Sequence, residues 1–278
     1  MTFRKLFFWA HLALGVSLGL VIMSMCISGS ILAFQPQIMD FSERASRTIT
    51  PPQGAQKLDN DALTQKARDA KPESKLSFLM VRDNPAATVM AGYGRDGVLF
   101  LNPYTGEVVG KGSRAREVLH KVEEWHRWLG NKRIGKPVTG AAAIAFFLLS
   151  LSGIYLWWPR KIFTTGGAGH GRNWNWHNTF GIASAIFILV ITSTGITMSY
   201  GLIKAGPEPT RKPTQAIRIF TLPAPPPETL RGWMTPLHTG RAWGWPGQTI
   251  NLFVALAGLI QIWTGFALAW RRFKGRAR

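Results

Sequence analysis

Four histidines recur in this chain at two repeated spacings. His11 and His177 each stand 18 residues before a glycine, Gly29 and Gly195; His126 and His238 each stand 27 before another, Gly153 and Gly265. Each of these glycines follows Ser or Thr (Ser28, Ser152, Thr194, Thr264) and ends an apolar stretch. His11, His126 and His177 also have glycine four residues on, at Gly15, Gly130 and Gly181. Imidazole is the commonest metal-ligating side chain. An A-B-A-B pattern of histidines predicts a duplicated pair of helices carrying a repeated ligand. A structural zinc site uses four protein ligands and a catalytic one three, which isolated histidines without nearby Asp, Glu or Cys do not supply. A proton relay needs intramembrane carboxylates.

The elements that must position these residues are apolar. The chain has 278 residues, 46% of them hydrophobic, and charge-free runs lie between Lys5 and Asp40, Lys136 and Arg160, Arg172 and Lys204, and Arg241 and Arg271. Each holds about 20 apolar residues, enough to cross a hydrocarbon core about 30 Å thick. Spans are expected near 7–34, 138–158, 177–203 and 249–270, all without Asp or Glu. The first is too long for the apolar part of a signal peptide and carries His11, so it reads as retained. The segments 1–6, 159–176 and 271–278 hold Arg4, Lys5, Arg160, Lys161, Arg172, Arg271, Arg272, Lys274, Arg276 and Arg278, and no acid. The excess of cationic residues in cytoplasmic loops then places the N- and C-termini inside and the long segments 35–137 and 204–248 outside. Of the net charge of +19, ten units fall in the inner segments. They already have a topological reason and a partner in anionic lipid heads, so nucleic-acid binding is not expected. Cys26, the one cysteine, lies in the first span and reads as a small core residue, excluding an internal disulfide.

Topology sorts the histidines into two layers. His11 and His177 sit at the inner ends of spans 1 and 3, and His126 and His238 at the outer surface. Two parallel repeats would relate the halves by an axis along the membrane normal, leaving two equivalent histidines facing each other in each layer. Facing imidazoles suit the two axial positions of a haem iron. The glycine at i+4 lies on its histidine's helical face and gives the flat macrocycle room. His238, followed by Gly240 instead, departs from that pattern. The plainer alternative, interfacial histidines bonded to lipid heads or carbonyls, accounts for one histidine better than for four at matched spacings. His170, in the glycine-rich 166–171 loop, reads as solvated, and His120 points about 120° away from His126 on a helix. Met23, Met25, Met198 and Met234 are haem ligands in principle, the first two and Met198 reading better as core or lipid-facing. Arg127, Arg133 and Arg241 near the outer histidines, and Arg4, Lys5 and Arg172 near the inner ones, are candidate partners for haem propionates.

The expected organisation is a first transmembrane helix (1–36), an outer module (37–120), an outer helix with the second span (121–160), a cytoplasmic loop with the third (161–203), a Pro-rich outer segment (204–248) and a fourth span with a basic tail (249–278). Within the module, 59–70 reads as a helix capped by Asp59 or Asn60. Strand-like runs follow at 76–81, 88–92 and 98–101, with a short continuation after the 102–107 turn. The carboxylates of 57–118 look scattered among basic partners on a solvated surface, which suits binding or packing better than catalysis. The Pro-rich segment is expected to be extended and wrapped on the outer module, and Trp233, Trp243 and Trp245 suit an aromatic belt.

The chain resembles the PepSY-associated transmembrane family. The resemblance rests on Trp9-Ala10-His11 with Gly15, on Glu124-Trp125-His126-Arg127-Trp128-Leu129-Gly130, and on the 152–160 run Ser-Gly-Ile-Tyr-Leu-Trp-Trp-Pro-Arg. Trp176-His177 with Gly181 and Leu237-His238-Thr239-Gly240-Arg241 extend it, and Asn102-Pro103-Tyr104-Thr105-Gly106-Glu107-Val108 looks like the turn of a PepSY module. It covers nearly the whole chain and implies an all-α bundle of four transmembrane helices, built as duplicated helix pairs, with one small α+β PepSY-like domain in the periplasm and the bundle in a bacterial inner membrane. It further implies two b-type haems carrying electrons to a periplasmic ferric chelate such as a ferric siderophore. The sequence has no nucleotide or flavin fingerprint of its own, so the donor must be a quinol or a cytoplasmic reductase. Two other readings stay open: a cytochrome b-like quinol oxidoreductase with a protein acceptor, and a haem-free anchor whose PepSY module regulates a peptidase.

Overall fold

The computed structural model describes residues 2–158, 170–203, 218–222 and 227–276. Arg160, Lys161, Arg278 and the prolines 207, 209, 213, 223, 225 and 226 lie outside the described residues, as does the side chain of His170. The chain divides into two units. One comprises 1–34, 121–204 and 229–278, and the other 35–120 and 205–228.

The first unit is a helical bundle. Four helices are long and apolar enough to cross a membrane: α1 (Phe3–Leu32), α6 (Lys132–Trp157), α7 (His170–Tyr200) and α9 (Gly244–Arg276). Each begins four to seven residues before the expected span, because the preceding polar turn is helical, and α1, α6 and α7 end one to three residues short of it. Asn131 starts α6, its Oδ1 accepting from the amides of Arg133 (3.0 Å) and Ile134 (3.3 Å). α1 packs on α6 and α9, and α7 packs on the same two helices. The order around the bundle is therefore α1, α6, α7, α9, with α1 and α7 at opposite corners. Small residues set the close approaches. A Cβ at Gly19 of α1 would lie 2.8 Å from Phe266 Cζ of α9, and one at Gly258 of α9 would lie 2.7 Å from Cys26 Sγ of α1. Ile22, Cys26, Ala142, Ala145, Leu149 and Ile262 form the buried core between α1, α6 and α9. Large apolar side chains face outward instead, among them Leu20 (64% exposed), Ile186 (68%) and Trp263 (72%). So much exposed apolar surface on long helices is stable in lipid and not in water.

Two short helices precede α6 and α9. α5 (Arg114–Trp128) ends at Leu129 and Gly130, both in the left-handed region (φ 48° and 77°). α8 (Leu230–Thr239) ends at Gly240, also left-handed (φ 73°). α8 is the departure from the extended chain expected over 204–248. Pro236 sits inside it, and the Thr229 hydroxyl caps its start by accepting from the Gly232 amide at 3.2 Å.

The second unit holds a five-stranded sheet in the order β4-β3-β2-β1-β5. β1 (Phe78–Arg82), β2 (Val89–Gly92), β3 (Val98–Leu101) and β4 (Val108–Lys111) form an antiparallel meander, and β5 (Arg218–Leu222), from the Pro-rich segment, joins β1 in parallel. α4 (Asn60–Ala70) covers the sheet with Leu63 and Ala67 against Leu79, Val89, Ala91 and Leu101. Asp59 caps α4 through the Ala62 amide at 2.7 Å. The 102–107 turn closes on Asn102, whose amide donates to the Glu107 carbonyl at 2.8 Å, with Gly106 at φ 76°.

Two further helices, α2 (Gln35–Ser42) and α3 (Arg44–Arg47), frame Glu43. The carboxylates expected at a solvated surface are those of 57–118, and Glu43 lies before them. Glu43 is buried (2% exposed), accepting from Arg116 Nε (2.6 Å) and Nη2 (2.7 Å), from Arg47 Nη2 (2.7 Å) and from the Ser113 amide (3.2 Å). Burial pushes its pKa up, but these donors outweigh that and hold it below the usual carboxylate range.

Candidate functional site

The helices bring the four repeated histidines together as two pairs. His11 of α1 and His177 of α7 face each other across the bundle with ring centroids 6.2 Å apart. His126 of α5 and His238 of α8 do the same at 6.3 Å. A metal bound to both Nε2 atoms at about 2.0 Å, with each ring centre about 1.1 Å behind its nitrogen, separates the centroids by about 6.2 Å. Both pairs sit at that separation. Among the described residues no cluster of three or more His, Cys, Asp or Glu side chains is placed to hold a metal. The donor set at each position is thus two imidazoles, which suits a metal whose remaining ligands come from a macrocycle.

Each Nδ1 is held by a hydroxyl. His11 Nδ1 lies 2.8 Å from Ser152 Oγ, and His126 Nδ1 lies 2.8 Å from Ser28 Oγ. His177 Nδ1 lies 3.1 Å from Thr264 Oγ1, and His238 Nδ1 lies 3.1 Å from Thr194 Oγ1. With Nδ1 engaged, Nε2 is left as the ligating nitrogen. The glycine after each hydroxyl packs on the same ring. A Cβ would lie from His Cε1 at 3.7 Å for Gly153 on His11, 3.4 Å for Gly29 on His126, 3.4 Å for Gly265 on His177 and 3.2 Å for Gly195 on His238.

The pairing runs between helices and not along one. Gly29 is 18 residues from His11 on one helix, but it packs on His126; Gly153 packs on His11. The two halves of each repeat therefore hold one another's histidines, and α1 and α7 each carry a histidine for one pair and a hydroxyl for the other. The 17 residues from His11 to Ser28 rise about 25 Å along a helix, which sets the distance between the pairs.

The glycines at i+4 divide by place. Gly15 and Gly181 lie inside α1 and α7 and line an open cavity with His11, His177, Gly153 and Gly265. Gly130 lies past the end of α5, where its left-handed backbone stops the helix, rather than one turn along the histidine's face. Gly240 ends α8 in the same way two residues earlier. His238 is thus like His126, and the different glycine spacing reflects only how soon the short helix stops.

Further matched residues hold the two short helices, and sequence reading missed them. Gly135 and Gly247 each stand nine residues after their histidine. Cβ atoms there would collide with the backbone carbonyls of Trp128 and Gly240. Thr139 and Asn251 each stand thirteen after. Thr139 Oγ1 donates to the Arg127 carbonyl at 3.0 Å and Asn251 Nδ2 to the His238 carbonyl at 2.7 Å. The signal was available in the same repeat, at spacings shorter than those that first attract notice.

The arginines are placed less pointedly. Arg127 pairs with Glu123 at 3.1 Å and lies over the Trp128 ring at 4.3 Å. Arg172 and Arg241 are exposed. Arg4 donates to the Leu156 carbonyl at 2.7 Å, and Arg272 lies over the rings of Phe8 (4.6 Å) and Trp9 (5.0 Å) near His11. Met25, Met198 and Met234 belong to the helices around these sites, and none is a member of either histidine pair. Burial pushes the His126 pKa down to about 4, with the neighbouring His238 adding to the effect, and burial lowers His238 as well. Both imidazoles are therefore neutral at pH 7, the form that binds a metal.

A four-helix bundle of membrane-spanning length that carries two pairs of half-buried histidines, in a chain that also holds a small α+β unit, defines a membrane protein. The chain belongs to the PepSY-associated TM region family, which matches residues 8–272. Comparison with curated proteins returns no match.

Proposed function

We propose that this protein is a dihaem electron carrier of a bacterial inner membrane that reduces a ferric chelate, of the siderophore class that the family resemblance implies, at the periplasmic face. The observation that carries the reading is the pair of centroid separations, 6.2 and 6.3 Å, at two positions about 25 Å apart along α1. His11 and His177 would hold one b-type haem and His126 and His238 the other. Haem so held would supply one-electron transfer between the two faces.

The chain's own residues do the rest. Each haem would be held by two imidazoles of the chain, a donor set that favours electron transfer over oxygen binding. Gly15, Gly181, Gly153 and Gly265 keep side chains out of the cavity beside His11 and His177. Arg127 and Arg241 are candidate partners for propionates at the His126–His238 end, and Arg172, Arg4 and Arg272 at the His11–His177 end. The cationic turns at 1–6 and 271–276 favour placing the His11–His177 end in the cytoplasm. The donor, a quinol or a cytoplasmic reductase, comes from outside the chain.

The test is the visible spectrum of purified protein with a haem-to-protein ratio, followed by mixing the prereduced protein with a purified ferric siderophore. A Soret band, two haems per chain and reoxidation by the chelate are expected. Protein made with ample haem and lacking a Soret band would sink the reading in favour of a haem-free anchor. Two haems without reoxidation by any ferric chelate would move it to a quinol oxidoreductase with a protein acceptor.

A further inference from the structure

The four hydroxyls beside the histidines are also bonded on their other side. Ser152 Oγ donates to the Leu148 carbonyl at 2.7 Å, and Ser28 Oγ to the Ser24 carbonyl at 2.8 Å. Thr264 Oγ1 donates to the Ile260 carbonyl at 2.6 Å, and Thr194 Oγ1 to the Ile191 and Val190 carbonyls at 2.8 and 2.9 Å. A hydroxyl has one proton. With that proton on a carbonyl of its own helix, its oxygen can only accept from the imidazole. The direction of both bonds is then fixed: Nδ1–H donates to Oγ–H, which donates to the helix backbone.

We propose that Ser28, Ser152, Thr194 and Thr264 are positioning residues that lock each histidine as the Nδ1–H tautomer and hold its Nε2 on the axis of its pair. A free imidazole also populates the opposite tautomer, whose Nε2 carries a proton and cannot ligate. The relay removes that state before any metal arrives and strengthens the imidazole as a donor afterwards. It does so with no charged group, which a membrane interior disfavours. This deepens the haem reading and rests on it for what the ligand is, but the tautomer lock stands on hydrogen bonds of the chain itself.

The four positions are not equivalent. His177 Nδ1 also lies 3.1 Å from the Gln261 carbonyl and His238 Nδ1 lies 3.0 Å from the Ile191 carbonyl, while the Met25 carbonyl backs His126. Ser152 is the one hydrogen-bond partner of the His11 ring among the described residues. Loss of the hydroxyl therefore weighs most at His11, where no carbonyl takes over, and less at His177 across the same pair.

The experiment uses the full chain with Ser152→Ala, Thr264→Val and Ser152→Thr, each scored for haem content and by redox titration of the two haems. Ser152→Ala is expected to raise the midpoint potential of the His11–His177 haem and to weaken its retention about 10–100-fold. Thr264→Val should give a smaller shift in the same direction, the other haem should stay put, and Ser152→Thr should restore the original potential. An unchanged potential and spectrum in Ser152→Ala overturns the proposal. Should that variant not fold, ¹⁵N spectra of the four paired histidines in wild-type protein made without haem decide instead. Nδ1–H throughout supports the lock, and Nε2–H at any of the four refutes it there. If wild-type protein binds no haem at all, the electron-carrier reading falls, while the same ¹⁵N measurement still judges the relay.

Discussion

His11 and His177 stand inside long helices, eight and seven residues from the first residues of α1 and α7, whereas His126 and His238 stand at the ends of short helices that stop within a few residues. Both pairs reach almost the same separation and take the same hydroxyl and glycine from a neighbouring helix. What differs is the support. Helix packing alone sets the His11–His177 pair, because α1 and α7 both lean on α6 and α9. The His126–His238 pair depends in addition on two tight turns. These turns need left-handed glycines, glycines in contact with backbone, and a side chain from the next helix bonded to the short helix's last carbonyls. One geometry is thus reached by register at one end of the bundle and by turn chemistry at the other. The ends should therefore fail to different mutations.

The largest separation of the two is expected from the ligands themselves. His238→Ala should remove one haem of two and leave the His11–His177 haem spectrally intact, and His11→Ala should do the reverse. If either change removed both haems from a folded protein, the pairs would not be independent sites.

Gly247→Ala comes next. Its Cβ would collide with the Gly240 carbonyl, and neither partner is the end of a flexible side chain. Loss of the His126–His238 haem with the other retained is expected, measured by haem content after mild detergent extraction. Equal loss of both haems would mean that the turn supports the whole bundle and not one end.

Gly15→Leu attacks the other support. A Cβ at Gly15 meets only Leu149 Cδ2, at 3.9 Å, so the larger side chain folds into the open cavity beside His11. The His11–His177 haem should be lost or reduced in occupancy at little cost to thermal stability.

Finer effects follow the glycines on the rings. Gly195→Ala places a Cβ 3.2 Å from His238 Cε1, tighter than ordinary contact, while Gly153→Ala places one at 3.7 Å from His11 Cε1. The first should shift the potential of its haem and the second leave its own unchanged. The smallest change is Gly130→Ala. The space there is open, with Trp125 Cε3 at 3.9 Å, and only the left-handed backbone opposes a side chain. A cost of about 1–2 kcal/mol in stability is expected, read as a modest fall in melting temperature with both haems retained.

Much of the bundle was legible from the chain. Long charge-free runs dictate four helices that lipid can surround, and the repeat of His11 with His177 and of His126 with His238 announces two equivalent halves. Buried positions follow the same repeat: Ile22 matches Ile188, and Ala145 matches Ala257, each eleven or nineteen residues after its histidine. The α4 helix and the first three strands also follow from local pattern, with boundaries shifted by one or two residues. Less legible were α8, where Pro236 argued against helix but sits in a segment too short for it to break, and Glu43, whose burial depends on arginines 4 and 73 residues away. Local pattern carries no record of such partners.

The sequence by itself determined which residues could ligate, how many there are, and that they come in two matched sets, because residue type and spacing are properties of the chain. Only the tertiary structure decided which glycine and hydroxyl serve which histidine. Residues 18 apart on one helix lie about 27 Å apart and cannot share a site. Each histidine is therefore completed by a hydroxyl and a glycine of another helix, brought beside it by packing.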